Sequence, residues 1–231
     1  MQKLEAGIHH FQANYFAKNR GLFEKLAEGG QRPETLFITC SDSRVVPNLI
    51  TSAAPGELFI VRNVGNVVPA VERGVLGGVS AAIEYAMEVL NVGNVIVCGH
   101  TQCGAIDAIL HPERIEHLPL VRRWLAGSAG IPRLIEERYG YLEGEARMTA
   151  AVEENVLAQL ENLRSFDFVA RRLDSGALKM SGWVFKIVTG EVYDYDPVTE
   201  QFLRLGGEGD RDRPALSIRT PPPPAAPDGR T

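Results

Sequence analysis

Three residues in this chain have side chains that suit a transition-metal site. Cys40 ends the apolar run TLFITC (35–40), and His100 and Cys103 form a His-x-x-Cys pair after a second apolar run, NVIVCG (94–99). Thiolate and imidazole are preferred zinc ligands, and two cysteines with one histidine leave the fourth position open in one type of catalytic site. A lone His-x-x-Cys pair is more often a satisfied core histidine beside a buried cysteine. Its occurrence together with Cys40, with both segments ending predicted strands, favours a metal site.

The elements that must position these side chains follow from an alternation of short apolar runs with helical segments. The β-rich runs are at 35–40, 58–63, 94–99, 182–188 and 192–196. The early runs are continuously apolar, as in parallel strands covered on both faces, so the pattern predicts an α/β fold with helices flanking the sheet. We predict a parallel-core sheet of order 2-1-3-4 with an antiparallel edge strand. In that order the first and third strands are neighbours, and their carboxyl ends form a ligand-binding crevice in which Cys40 and His100 meet.

The chain is predicted to contain three parts. Residues 1–34 form an N-terminal helical arm, because apolar residues recur there at helical spacing. Residues 35–205 form a zinc-binding α/β domain, and 206–231 are predicted to be disordered because they are rich in Pro, Gly and charge. Helical candidates within the α/β domain lie near 74–90, 104–110, 118–126, 131–139 and 148–173.

The composition excludes several classes of protein. The 231 residues are 45% hydrophobic with a net charge of −5, which argues against nucleic acid or an anionic membrane surface as a partner. Neither a signal peptide nor a membrane span is predicted. We therefore expect a cytoplasmic protein, in which cysteines are metal ligands or catalytic groups rather than disulfides. The third cysteine, Cys98, lies within a strand run and is interpreted as a small buried hydrophobe.

Several motifs together resemble the β-class carbonic anhydrases. They are CSDSRV (40–45), GELFIVRNVGN (56–66), AAIEYA (81–86) and GHTQCGA (99–105). The resemblance runs from the N-terminal arm to about residue 196. It implies a lyase with one Zn²⁺ per subunit that reversibly hydrates carbon dioxide to bicarbonate and a proton, as a homodimer or higher homo-oligomer. LPLVRRWL (118–125) is also similar to cyanobacterial carboxysomal members. Their long C-terminal extension is mostly absent here, so a carboxysomal location stays open as an alternative that the short tail does not support.

The resemblance assigns a role to each residue of the predicted centre. Cys40, His100 and Cys103 would bind zinc, and Asp42 with Arg44 would orient a zinc hydroxide nucleophile. In some members the matching Asp moves onto zinc as a fourth ligand in a closed form at lower pH. A bidentate Arg–carboxylate pair would keep the acid ionised and away from the metal. The alternative for this pair is an ordinary surface ion pair, worth about 0–1 kcal/mol.

A substrate pocket typical of the plant-like, open-site branch is also implied. The matching positions are Gln31, Phe59, Val64 and Tyr85, and the backbone N–H of Gly104 at a helix start is a further candidate for binding bicarbonate. On residue type alone, the three apolar or aromatic positions fit an ordinary core equally well. Gln31 would serve the site of a neighbouring subunit.

A bicarbonate-regulated branch of the family differs at two positions. It carries a Trp and a Tyr where this chain has Phe37 and Phe185. Arg62 matches the remaining anion contact of that branch, without its two partners. We therefore expect no inhibitory bicarbonate site.

Two alternative functions remain open at this stage. A hydrolase of carbonyl sulfide or carbon disulfide would use the same metal site and differ in pocket shape. A non-catalytic structural zinc protein would have its site closed permanently by Asp42. For the carbonic anhydrase, two thiolates offset the zinc charge, so activity is expected to rise toward alkaline pH.

Overall fold

A computed structural model describes residues 1–71 and 77–206, and it contains one mixed sheet of six strands. The strand order is β2-β1-β3-β4-β5-β6. The first four strands in this order, β2, β1, β3 and β4, are parallel to one another. The last two, β5 and β6, each pair antiparallel with the strand before them. The predicted fold class and strand order are confirmed. The strands are β1 (Thr35–Cys40), β2 (Leu58–Asn63), β3 (Asn94–His100), β4 (Lys179–Phe185), β5 (Val192–Asp196) and β6 (Gln201–Arg204).

Helices flank this sheet and precede it. A π-helical turn, Phe11–Phe16, follows α1, and another, Tyr85–Val89, continues α4. None of the helices in the described ranges is long and apolar enough to cross a membrane. The α-helices are α1 (Gln2–His10), α2 (Arg20–Gly29), α3 (Pro47–Thr51), α4 (Gly78–Glu84), α5 (Gly104–Leu110), α6 (Pro119–Leu125), α7 (Ile131–Tyr139), α8 (Gly144–Arg164) and α9 (Asp167–Asp174).

Two predicted elements have different boundaries in the structure. The fourth strand was predicted at 182–188, but it spans Lys179–Phe185. It ends at Phe185 because Lys186 and Glu191 close the turn to β5 with a backbone hydrogen bond of 2.8 Å. The helical segment predicted at 148–173 is two helices. The break follows Arg164, where the Ser165 hydroxyl donates to a backbone carbonyl of α8 at 2.6 Å.

Helix α8 lies close against the sheet because two strand residues lack side chains. A Cβ atom on Gly99 of β3 would lie 2.7 Å from Val156 of α8, and one on Gly182 of β4 would lie 2.9 Å from the same side chain. The close approach buries the middle of α8. Two of its buried polar residues, Asn155 and Gln159, therefore face the interior near the metal centre rather than solvent.

The N-terminal arm contrasts with this core. No residue of α1, of the following π-helical turn or of α2 is buried. Its aromatic side chains contact one another, with Phe16 and Phe23 at 5.1 Å between ring centroids. The three-part division of the chain stays a prediction, and the predicted disordered tail lies outside the described residues except for Gly206.

Candidate metal centre

Cys40, His100 and Cys103 come together at the carboxyl ends of β1 and β3. These strands are neighbours, so residues sixty positions apart in sequence meet in space. The three possible ligand atoms all lie within 4.8 Å of one another, and the two sulfur atoms are 4.0 Å apart. All three residues are buried, with exposed fractions of 5%, 0% and 2%. The predicted juxtaposition of these residues is confirmed.

The imidazole of His100 is oriented by its own strand end. Its Nδ1 lies 2.9 Å from the carbonyl oxygen of Thr101, and because a carbonyl only accepts, Nδ1 carries the proton. Nε2 is buried and has no hydrogen-bond partner among residues 1–71 and 77–206. A carbonyl on one ring nitrogen and a free lone pair on the other is the arrangement of a metal-ligating histidine.

The two thiols differ in their readiness to ionise. The hydrogen bond with Cys103 lowers the pKa of Cys40 to about 4, helped by His100 and by the N–H of Gly65 at 3.4 Å, although burial opposes the shift. The same hydrogen bond, together with burial, raises the pKa of Cys103. The pair therefore holds a thiolate beside a buried imidazole nitrogen. Two sulfur donors and one nitrogen donor with these properties fit Zn²⁺.

Cys98 has the opposite character. It is fully buried, and its thiol points to the carbonyl of Gly99 at 3.5 Å. Burial raises its pKa to about 12, so the thiol stays neutral. Its burial agrees with the predicted role of a small hydrophobe.

Asp42 and Arg44 form a bidentate pair beside this centre. Arg44 Nε donates to Asp42 Oδ1 at 3.0 Å, and Nη2 donates to Oδ2 at 2.8 Å. The Arg44 guanidinium holds the pKa of the carboxyl well below its usual range. Asp42 Oδ2 lies 3.8 Å from His100 Nε2, so the carboxylate borders the place that a metal would take.

Gln102 and Arg62 support this pair, and sequence reasoning gave neither a role in the centre. Arg44 donates to the Gln102 side chain at 3.3 Å and to its backbone carbonyl at 3.1 Å. Arg62 donates to the backbone carbonyls of Cys40 and Asp42, at 3.2 and 2.7 Å. Gln102 lies inside the His-x-x-Cys segment, so the sequence could have indicated that it is close to the metal centre. Arg62 gave no such signal, because its contacts come from the pairing of β1 with β2.

The residues predicted to form the substrate pocket are much more exposed. Phe59 and Tyr85 contact each other with ring centroids 6.0 Å apart, but Tyr85 is 43% and Val64 is 42% exposed. Gln31 is exposed in the segment between α2 and β1, and Gly104 is the first residue of α5. The structure brings an aromatic pair together but leaves its outer face open to solvent.

Comparison with known proteins identifies the family. The family model for carbonic anhydrase matches residues 35–192. The structure of the β-carbonic anhydrase CcaA superimposes with a TM-score of 0.85 and 44% identity, covering 88% of this chain and 98% of that chain. The chain belongs to the β-class carbonic anhydrases. Members of this class are zinc enzymes, so the residues that fit Zn²⁺ stand in a family that uses it.

Two further relatives in the family extend the comparison. A carbonic anhydrase of Synechocystis is 45% identical over 204 residues, which is 88% of this chain and 74% of the relative. A structure of tetrameric β-carbonic anhydrases from Sordaria macrospora has a TM-score of 0.75 at 27% identity, covering 84% of this chain and 95% of that one. The resemblance to this family, including cyanobacterial members, is confirmed.

Proposed function

We propose that this chain catalyses the reversible hydration of carbon dioxide to bicarbonate and a proton, with Zn²⁺ held by Cys40, His100 and Cys103. One observation carries the proposal. The sulfur atoms of two cysteines and a nitrogen of one histidine lie within 4.8 Å of one another, and all three residues are buried, in a β-class carbonic anhydrase. Three protein ligands are the number that catalytic zinc sites use, with the fourth position taken by water or substrate.

Zinc, when bound, supplies a Lewis acid that lowers the pKa of water and makes it a nucleophile near neutral pH. The residues that hold the ion determine how far the pKa of that water falls. Cys40 and Cys103 together offset the charge of the ion, which three imidazoles would leave at +2. We therefore expect a higher working pKa than in a site of three histidines, and activity that increases with pH.

Asp42 and Arg44 divide the work of orienting the nucleophile. Asp42 Oδ2 faces the centre and can accept a hydrogen bond from the attacking water, which directs a lone pair of its oxygen at the carbon of carbon dioxide. Arg44 fixes that carboxylate from the other side through both of its oxygens. The contacts of Arg44 with Gln102 restrict the guanidinium in turn.

The open form of the site is part of the proposal. The bidentate pairing of Asp42 with Arg44 supports it, because a carboxylate held in this way is not free to bind the metal. Arg62 donates through Nε and Nη2 to the backbone carbonyls of Cys40 and Asp42, so these two nitrogens bind the protein itself rather than an inhibitory anion. Phe37, which stands where the bicarbonate-regulated branch carries a Trp, is fully buried, with its ring 6.0 Å from that of Trp183.

The wall for carbon dioxide is assigned to Phe59, Val64 and Tyr85. Carbon dioxide is small and apolar, so a dry wall favours it over water. Gln31 would donate its amide to a substrate oxygen in a neighbouring subunit, and the N–H of Gly104 would contact bicarbonate. The contact between the Phe59 and Tyr85 rings supports the assignment.

We further propose that the active form is a homodimer or a higher homo-oligomer in the cytoplasm. The arm, residues 1–34, presents an aromatic and aliphatic surface without a buried residue in its helices. A second copy of the chain would cover this surface and the open side of Tyr85. The three cysteines form no disulfide, which supports a cytoplasmic location, because a reducing compartment preserves thiols.

Metal removal and restoration test the proposed function. A chelator should abolish carbon dioxide hydration, and stoichiometric Zn²⁺ should restore it, whereas Mg²⁺, which prefers oxygen ligands, should not. Carbonyl sulfide should be assayed in parallel. If the zinc-loaded protein turned over carbonyl sulfide and not carbon dioxide, the proposal would be wrong.

A further inference from the structure

One peptide group lies directly against the thiolate of Cys40. It joins Val64 to Gly65, and its N–H donates to Cys40 Sγ at 3.4 Å. The carbonyl of the same peptide accepts a hydrogen bond of 2.8 Å from the indole N–H of Trp124, on α6. An uninterrupted chain of hydrogen bonds thus runs from the indole through one peptide group to the sulfur.

Hydrogen bonds in such a chain strengthen one another. A donor on the carbonyl oxygen polarises the peptide, and its N–H then becomes a better donor to the sulfur. Removing the indole N–H therefore weakens the bond to Cys40 without touching either of its atoms. The effect is electrostatic and needs no movement of the loop.

The loop is held in place independently of Trp124. Asn155 of α8 donates to the carbonyl of Gly65 at 3.1 Å, and Gln159 of α8 accepts from the N–H of Val68 at 2.8 Å. Gly65 has a φ of +80°, and a Cβ there would lie 3.0 Å from Ala105. Loss of one indole N–H should leave this loop where it is.

We propose that Trp124 is a positioning residue that tunes the zinc-ligating thiolate of Cys40 through the Val64–Gly65 peptide. The inference rests on the proposed zinc site. A hydrogen bond to a thiolate draws charge from sulfur, so less charge is donated to the metal. The Trp124 relay thus opposes the charge neutralisation by two thiolates and keeps the centre a stronger Lewis acid.

Trp124→Phe removes the donor and keeps an aromatic ring. The matched control is Trp183→Phe, because the chain has two tryptophans and Trp183 lies on β4 against Phe37. A second variant guards against repacking of the smaller ring. In the Trp183→Phe background, the remaining tryptophan is replaced biosynthetically by benzothienylalanine, which has the shape of tryptophan without its N–H.

Two readouts do not depend on turnover. In the zinc-loaded protein, the amide proton of Gly65 should move upfield in Trp124→Phe and in the benzothienylalanine protein, and stay in place in Trp183→Phe. In the cobalt-substituted protein, the thiolate-to-cobalt charge-transfer band should move to longer wavelength in the same two proteins, because sulfur becomes the better electron donor.

Turnover should follow the spectra. The kcat should fall about two- to tenfold, less than the ~10- to 100-fold typical of direct partners of a metal ligand, and KM should change little. The midpoint of the pH profile should move to higher pH.

The outcomes separate this inference from the proposed function. A charge-transfer band in the wild-type protein that stays in place when the indole N–H is removed would overturn the role of Trp124 and leave the zinc site intact. The same holds for an unchanged Gly65 amide shift. A wild-type protein that takes up neither Zn²⁺ nor cobalt would overturn the inference together with the proposed function.

Discussion

The metal centre and the proposed substrate wall differ sharply in how completely one chain builds them. Cys40, His100 and Cys103 are at most 5% exposed, whereas Val64 and Tyr85 of the wall are more than 40% exposed. The ligands come from the ends of two neighbouring parallel strands, which the core holds rigidly. Of the wall residues, Phe59 lies on β2, Val64 in the turn after it and Tyr85 in the π-helical turn after α4. Val64 and Tyr85 keep exposed outer sides within the described residues. One chain therefore brings the metal ligands together but leaves the proposed wall exposed to solvent.

This difference separates two kinds of substitution. Changes at the ligands should act through metal content, and changes at the wall or the arm should act on turnover with the metal retained. The arm, with no buried residue in its helices, belongs with the wall in this respect.

The largest effect is expected from loss of a ligand. Cys103→Ala should lose zinc and reduce carbon dioxide hydration to the uncatalysed background, because two ligands hold the ion poorly. Cys98→Ala is the matched control, since this thiol lies outside the ligand cluster. Metal analysis and stopped-flow assays on both variants check the prediction. Full zinc content in Cys103→Ala would show that the centre is misassigned.

A smaller loss is expected from the dyad, with zinc retained. Asp42→Asn should lower kcat about 100- to 10,000-fold, the range for a group that directs proton transfer. Asp107 pairs with Arg114 at 2.7 Å on the surface. Asp107→Asn therefore removes a comparable ion pair and should leave kcat and zinc content unchanged. Kinetics with zinc measured in each sample compare the two. Equal activity of both variants would reduce the dyad to a surface ion pair.

Deletion of residues 1–30, which contain both α-helices of the arm, should have a more moderate effect. Without residues 1–30 the protein should become a monomer that keeps its zinc and loses about 10-fold in activity, since remote misplacement costs up to ~100-fold. Deletion of residues 207–231 is a control of similar length. Equilibrium sedimentation and stopped-flow assays give the two readouts. A fully active monomer would show that one chain completes the wall after all.

The dyad should also keep its charge throughout the working pH range. Arg44 holds the pKa of Asp42 well below its usual range, so this carboxyl is ionised from pH 6 to 9 and becomes protonated only in strong acid. The rise of activity with pH therefore reports the reactive water. Asp42→Asn should lower the plateau of the pH profile, measured with constant ionic strength, without removing its slope. A flat wild-type profile would contradict the electrostatic argument for the two thiolates.

The sequence was informative where the chemistry depends on residues near strand ends. The continuous apolar runs before Cys40 and His100 predicted two parallel neighbours, and the structure confirms it. The strand β6 (Gln201–Arg204) was missed because four residues with one buried side chain give no clear period. The end of β4 was misplaced because Ile187 and Val188 are apolar residues that lie in a turn.

Other parts of the site depend on contacts that no local pattern encodes. Trp124 reaches the carbonyl of Val64 across sixty residues, and Asn155 reaches Gly65 across ninety. Arg62 supports the β1 end only because β2 pairs beside it in this register. Such contacts arise when the sheet and α8 are assembled, so only the folded chain reveals them.

Carbon dioxide hydration by protein with verified zinc content, measured by stopped flow at pH 7 and pH 9, tests the central claim most directly. An open centre with an ionised dyad predicts turnover at both pH values and faster turnover at pH 9. Activity at pH 9 with none at pH 7 would mean that Asp42 moves onto the metal. No activity at either pH, with zinc bound, would contradict the assignment of this centre as a carbonic anhydrase active site.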